Sequence, residues 1–165
     1  MSVRARRGQS IIETVVGIMF LVPIVLFLFD IAVLVLCNTA NDNLAKSTCR
    51  AAASAVNGSG TGDAASAFSS ATTVANSFAA SSIIAKTGGS FLTGFSYNSN
   101  GTPSSAGGTW PGPITGGNGA PPTPAQGQVA CITSMRVTLP VPFPVLPTTW
   151  DFQSKDVEPI VSIAP

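Results

Sequence analysis

The amino-acid sequence predicts an α+β chain. A long apolar helix comes first, then a second helix, then a small, mainly antiparallel β-sheet interrupted by a long Gly/Pro-rich loop. Three observations lead there. Residues 11–37 are apolar except for Glu13, Thr14 and Asp30. Residues 64–84 repeat apolar side chains at helical steps, whereas residues 128–139 alternate as a strand does. Of the 31 residues in 98–128, fourteen are Gly or Pro, too many for a regular element.

Length and composition narrow the field before any motif is considered. The 165 residues leave room for about one domain. A net charge of +1 with 9% charged residues excludes the broad basic surface of a nucleic-acid binder. The charges are also unevenly placed: Arg4, Arg6 and Arg7 crowd the start, and residues 58–165 hold only three basic and four acidic side chains. Histidine is absent, and the three cysteines and seven acids are scattered, with no zinc-like spacing. Neither a phosphate-binding G-x-x-x-x-G-K-[ST] loop nor a G-x-S-x-G elbow occurs. Ser154 and Lys155 adjoin in sequence, which does not make a catalytic dyad. No catalytic residue, metal site or cofactor is expected, and the chain reads as a non-enzymatic protein.

The first element is built for hydrocarbon. As a helix, residues 11–37 would reach roughly 40 Å, enough for a bilayer core of about 30 Å. The arginines lie immediately before it and no basic residue follows until Lys46. The positive-inside bias places the N-terminus in the cytoplasm and the remainder outside. Residues 1–8 then form a cytoplasmic leader, 9–37 the membrane helix and 38–165 an extracytoplasmic domain, with Pro23 expected to kink the span. A cleaved secretory signal fits poorly, because the apolar run is too long and lacks an A-x-A site. Lipoprotein cleavage before Cys37 is disfavoured by the bulk of Leu36. A plain signal anchor, with Glu13 snorkelling to the interface, stays open. Asp30 lies nineteen residues beyond Ile11. Solvation at the outer interface and pairing with a neighbouring subunit both account for it.

Beyond the membrane, the helix is expected to continue to a stop at Asn57-Gly58. Asp63 offers an N-cap for a second helix through residue 84, with Phe68, Ala71, Ala75, Phe78 and Ser82 as its apolar stripe. The two phenylalanines are expected to pack on the first helix or the sheet. Strands are expected at 90–97 and 128–139, with a terminal strand at 157–164. The prolines of 140–147 exclude a central strand. Within the 98–128 loop, expected to be mobile or partner-facing, Trp110 is the single large anchor, tucked onto the domain or offered to a partner. Cys49 and Cys131 are disulfide candidates in an oxidising compartment, and Cys37 reads as a buried apolar residue. Sequence alone leaves that connectivity open.

The spacing at the start carries a family resemblance. A basic leader, Gly8, Gln9 and then Glu13 as the fifth residue from Gln9 resemble the processing site of type IV prepilins. The stretch GQSIIETVVGIMFLVPIVLFLFDIAVL, followed by NLAKSTCRAAASAV, resembles the TadE-like minor pseudopilins of tight-adherence (Flp-type) pili. Gly8, Glu13, Pro23, Asp30 and Arg50 carry that likeness over about the first third of the chain. The resemblance implies a type IV pilin-like fold and cleavage by a prepilin peptidase after Gly8. Gln9 would become the new N-terminus, and Glu13 would set axial register by pairing with a neighbour's terminal amine. It further implies other pilins and pseudopilins, the inner-membrane assembly machinery and the lipid bilayer as partners. The location implied is the bacterial inner membrane, with passage into a surface pilus. The long outer domain fits a minor subunit better than the bulk component of a filament. The alternative is an unprocessed, signal-anchored extracytoplasmic module for binding or adhesion.

Overall fold

The computed structural model describes residues 3–55, 63–87, 89–98, 125–141 and 147–161. Trp110 and most of the 98–128 loop, the Asn57-Gly58 stop, residues 142–146 of the proline run and residues 162–164 of the expected terminal strand lie outside the described residues. Helix α1 is continuous over Val3–Ala53, 51 residues and so about 77 Å, and Pro23 lies inside without ending it. Residues 11–29 of its first half are exposed, and its second half packs against the domain.

The buried positions of that second half are Cys37, Asn41, Leu44, Ala45, Thr48, Cys49, Ala52 and Ala53. They recur at three- and four-residue steps and form one stripe. The helix ends at Ala53, short of the expected glycine stop. Ser54 and Ala55 turn the chain by bonding back to the Arg50 and Ala52 carbonyls. The Ser54 hydroxyl also donates to the Arg50 carbonyl at 3.0 Å, and Val161 N–H takes the Ala53 carbonyl at 3.1 Å. Local hydroxyl and backbone donors thus satisfy these terminal acceptors.

Helix α2 spans Ala64–Ser77, with Asp63 as its N-cap accepting from Ser66 N–H at 2.6 Å. It buries Ala67, Ala71 and Ala75, so small residues let it lie close to α1. The sequence pattern extended this helix to residue 84, and the structure stops it seven residues earlier. Phe78 leaves the helix with extended backbone and sets its ring edge-on to Phe91, 5.2 Å between centroids. Tertiary packing of that ring outweighs the weak helix propensity of the Ser-rich continuation. Ser81 then accepts from the N–H groups of Ile83 and Ile84, which turns the chain into a strand.

The sheet has four strands: β1 Ile84–Lys86, β2 Leu92–Asn98, β3 Gln128–Thr138 and β4 Thr149–Pro159. All pair antiparallel with β3 at the centre. β1 meets residues 135–137 and β2 meets residues 128–133, so these two lie end to end along one edge of β3. Gly89, at φ 89°, serves the turn between them, a conformation that glycine adopts cheaply. β4 takes the other edge over its full length, from Thr138↔Thr149 to Gln128↔Pro159. That places the last strand eight residues before its expected start, because pairing with β3 recruits the mixed run TWDFQSKD.

The core joins Leu44, Cys49 and Ala52 of α1 to the α2 alanines, to Phe91, Phe95 and Tyr97, and to Val129, Cys131 and Met135 of β3. Phe68 packs edge-on to Phe95 at 5.4 Å, so both helix phenylalanines meet the β2 side of the sheet. At Gly94 a Cβ would sit 2.9 Å from the Ile132 Cβ, which is why this crowded strand position holds glycine.

Candidate functional site

The candidate region is α1 itself, from its basic start to its contact with the sheet. Gly8 and Gln9 lie within the helix, four residues or more before Glu13. From Ile11 to Phe29 every residue is exposed, and the side chains are overwhelmingly large and apolar. This is one helix long and apolar enough to cross a membrane. A helix segment this apolar and this exposed is not a core helix; its natural solvent is lipid or other helices. Glu13 is exposed near the start of that segment.

Asp30 stands at the other end, about 26 Å from Glu13 along the axis, close to one hydrocarbon thickness. It is 1% exposed, and neither carboxylate oxygen has a hydrogen-bond partner among the described residues. Seven residues before Cys37 and eleven before Asn41, it begins the stripe that faces the domain. Within the chain, the Asp30 carboxylate is covered by the protein itself. Glu13 lies about 100° around the helix from it.

Polar contacts fix how α1 crosses the sheet. Asn41 Nδ2 donates to the Thr133 carbonyl at 3.5 Å, and the Thr133 hydroxyl returns a bond to the Asn41 carbonyl at 3.3 Å. Eight residues on, the Cys49 thiol faces the carbonyls of Val129 and Asp156, both at 3.4 Å. Eight helical residues rise about 12 Å and four strand residues about 13 Å, so α1 runs antiparallel alongside β3. Arg50 Nε bonds Glu158 Oε1 at 3.2 Å and closes the same contact at the surface.

The other predicted candidates divide clearly. Cys49 and Cys131 come together: both are fully buried free thiols. The neighbouring Cys49 thiol, burial and the Asp156 carboxylate push the Cys131 thiol far above its ordinary range. Cys37 is buried separately, as the sequence led us to expect. An open groove of about 510 Å³ between α1 and α2, lined by residues such as Asn43, Ser47, Val74 and Phe78, had no signal in the sequence. It holds no charged side chain. Among the described residues no three ligating side chains converge as a metal site would require.

Comparison with protein-family models, with curated proteins and with solved structures returned no match.

Proposed function

We propose that the chain is a minor pilin-like subunit that acts in assembly of a tight-adherence pilus, after a prepilin peptidase cuts between Gly8 and Gln9. The observation that carries this reading is the uncovered apolar half of α1, with Glu13 at its start and a folded domain on its far end. Such a helix is retained by lipid before assembly and packs with like helices afterwards. Cleavage creates an amine on Gln9, and a carboxylate in hydrocarbon requires a positive partner to offset its desolvation. A neighbour's amine at Glu13 sets how far one subunit rises along the next. Glycine at position 8 also weakens the helix where a peptidase must unwind it. Under this reading the domain lies outside the cytoplasmic membrane, as the arginine bias favours.

The test is direct. Intact mass and N-terminal sequencing of the native chain should show loss of residues 1–8. Gly8→Ala should block that loss. Glu13→Gln should leave it intact while lowering pilus yield at least tenfold, scored by sheared-filament immunoblot. A chain that keeps residues 1–8 and supports normal pili refutes the reading and favours an unprocessed, anchored binding module.

A further inference from the structure

We infer that Cys49 and Cys131 are a structural disulfide site that fastens the membrane helix to the central strand of the sheet. The two residues are fully buried side by side, on elements that sequence separates by roughly 80 residues. Three contacts align them. Asn41 with Thr133 fixes the register of α1 on β3, Cys49 lies over the Val129 and Asp156 carbonyls, and Cys131 is the cross-strand partner of Asp156. Cys37, on the same helix, lies about three turns from Cys49 and is outside this contact.

The reduced pair has little to keep it reduced. The Cys49 thiol makes long sulfur contacts to two carbonyls, and a thiolate on Cys131 is opposed by burial and by the Asp156 carboxylate. A disulfide carries no charge and no donor, so it suits this apolar contact better than two thiols do. The bond forms by exchange with an oxidant of the disulfide class, such as an envelope dithiol oxidase or oxidised glutathione. One cysteine sulfur attacks the oxidant's disulfide, making a mixed disulfide and releasing one oxidant thiol. The second cysteine sulfur then displaces the oxidant's remaining sulfur. The chain gains one S–S bond and gives up two protons and two electrons; the oxidant leaves as two thiols. Because both sulfurs are sealed in the folded state, exchange occurs before α1 settles on the sheet, and the finished bond is shielded from reductants.

Oxidation in the cell rests on the domain lying outside the cytoplasm, as proposed above, whereas the pairing itself does not. The purified full-length chain in detergent is unfolded and refolded with oxidised and reduced glutathione, acid-quenched, denatured and labelled with a mass-tagged maleimide. One label before reduction and three after it, with the linked peptides holding residues 49 and 131, are expected. Cys37→Ala should keep the linkage, and Cys49→Ala should abolish it. Reduction should lower the unfolding midpoint of the wild type by several degrees and leave a Cys49→Ala/Cys131→Ala double variant unmoved. Three labels before reduction, or a linkage through Cys37, overturns the inference. Protease access to the domain in spheroplasts decides the topology separately. An accessible domain with three free thiols sinks the disulfide alone, and an inaccessible domain that bridges in vitro sinks the topology alone.

Discussion

The two halves of α1 belong to one helix and obey different rules. From Ile11 to Phe29 the helix is exposed all round and apolar except at Glu13 and Thr14; from Asp30 to Ala53 one stripe is buried, and the exposed side stays apolar through Leu36 before turning polar. The first half uses bulk, with Phe20, Leu21, Phe27 and Phe29 among its side chains, and the second uses small residues such as Ala45, Cys49 and Ala52. Bulky side chains suit contact with a fluid apolar solvent, which has no fixed shape to match. Small ones let a helix backbone approach a sheet and another helix closely. One continuous helix can therefore serve as an anchor in one environment and as a core element in another. The change falls at Asp30.

Substitutions should separate the halves, most strongly at aromatic positions. Phe91→Ala removes a fully buried ring packed on Phe78, and should cost the domain about 3–5 kcal/mol in denaturant unfolding in micelles. Phe20→Ala, in the uncovered half, should change that same transition by less than about 0.5 kcal/mol. Equal effects would end the division drawn here. The glycines give a second contrast. Gly94→Ala drives a Cβ against Ile132 and should cost about 1–3 kcal/mol, whereas at Gly17 a Cβ meets nothing within 4 Å and the same change should leave domain stability unaltered.

Smaller effects sharpen the picture within the domain. Asp63→Ala removes the cap of α2 and should lower stability by about 1 kcal/mol, with fewer protected amides in the first helical turn by hydrogen exchange. The smallest effect is expected at the sheet surface, where Arg136 Nε and an Nη donate to both oxygens of Asp151 at 2.8 and 3.0 Å. The hydrogen bond from Arg136 holds the Asp151 carboxyl below its usual range, partly opposed by desolvation. A lowered folded-state value means that stability is present above the ordinary carboxylate range and is lost as pH falls through the lowered one. Both side chains are about half exposed, so solvent screens the pair. Asp151→Asn should lower the neutral plateau of the pH–stability curve slightly, flatten its acid limb, and leave stability below the carboxylate range unchanged.

Much of this architecture was legible in the chain, and the losses have specific causes. The apolar run, the Asp63 cap and the alternation of β3 are local signals, and each appears where expected. The end of α2 was misplaced because the periodic stripe continues past Ser77, while Phe78 is drawn off by Phe91, a contact that no local pattern encodes. β4 begins earlier than its apolar residues indicate, since an edge strand is stabilised by ladder bonds to β3 and tolerates the polar alternation of residues 151–156. β1 has three residues, too few to show a period. In the candidate region the sequence singled out Glu13, Asp30, Cys49 and Cys131. It did not show that Asp30 begins the buried stripe, because stripe membership depends on which side of α1 the sheet occupies.

By itself the sequence determined that one helix is apolar enough for a bilayer, that three arginines crowd its start while no basic residue follows the apolar run until Lys46, and that a capped helix and alternating strands follow. These are properties of neighbouring residues, written in propensity, charge and period. Tertiary structure alone decided where that helix begins to be buried, which of its faces meets the sheet, and that two cysteines far apart in the chain come together. Those outcomes arise from packing between distant segments, where the fit of side chains across space outweighs the preferences of any one stretch.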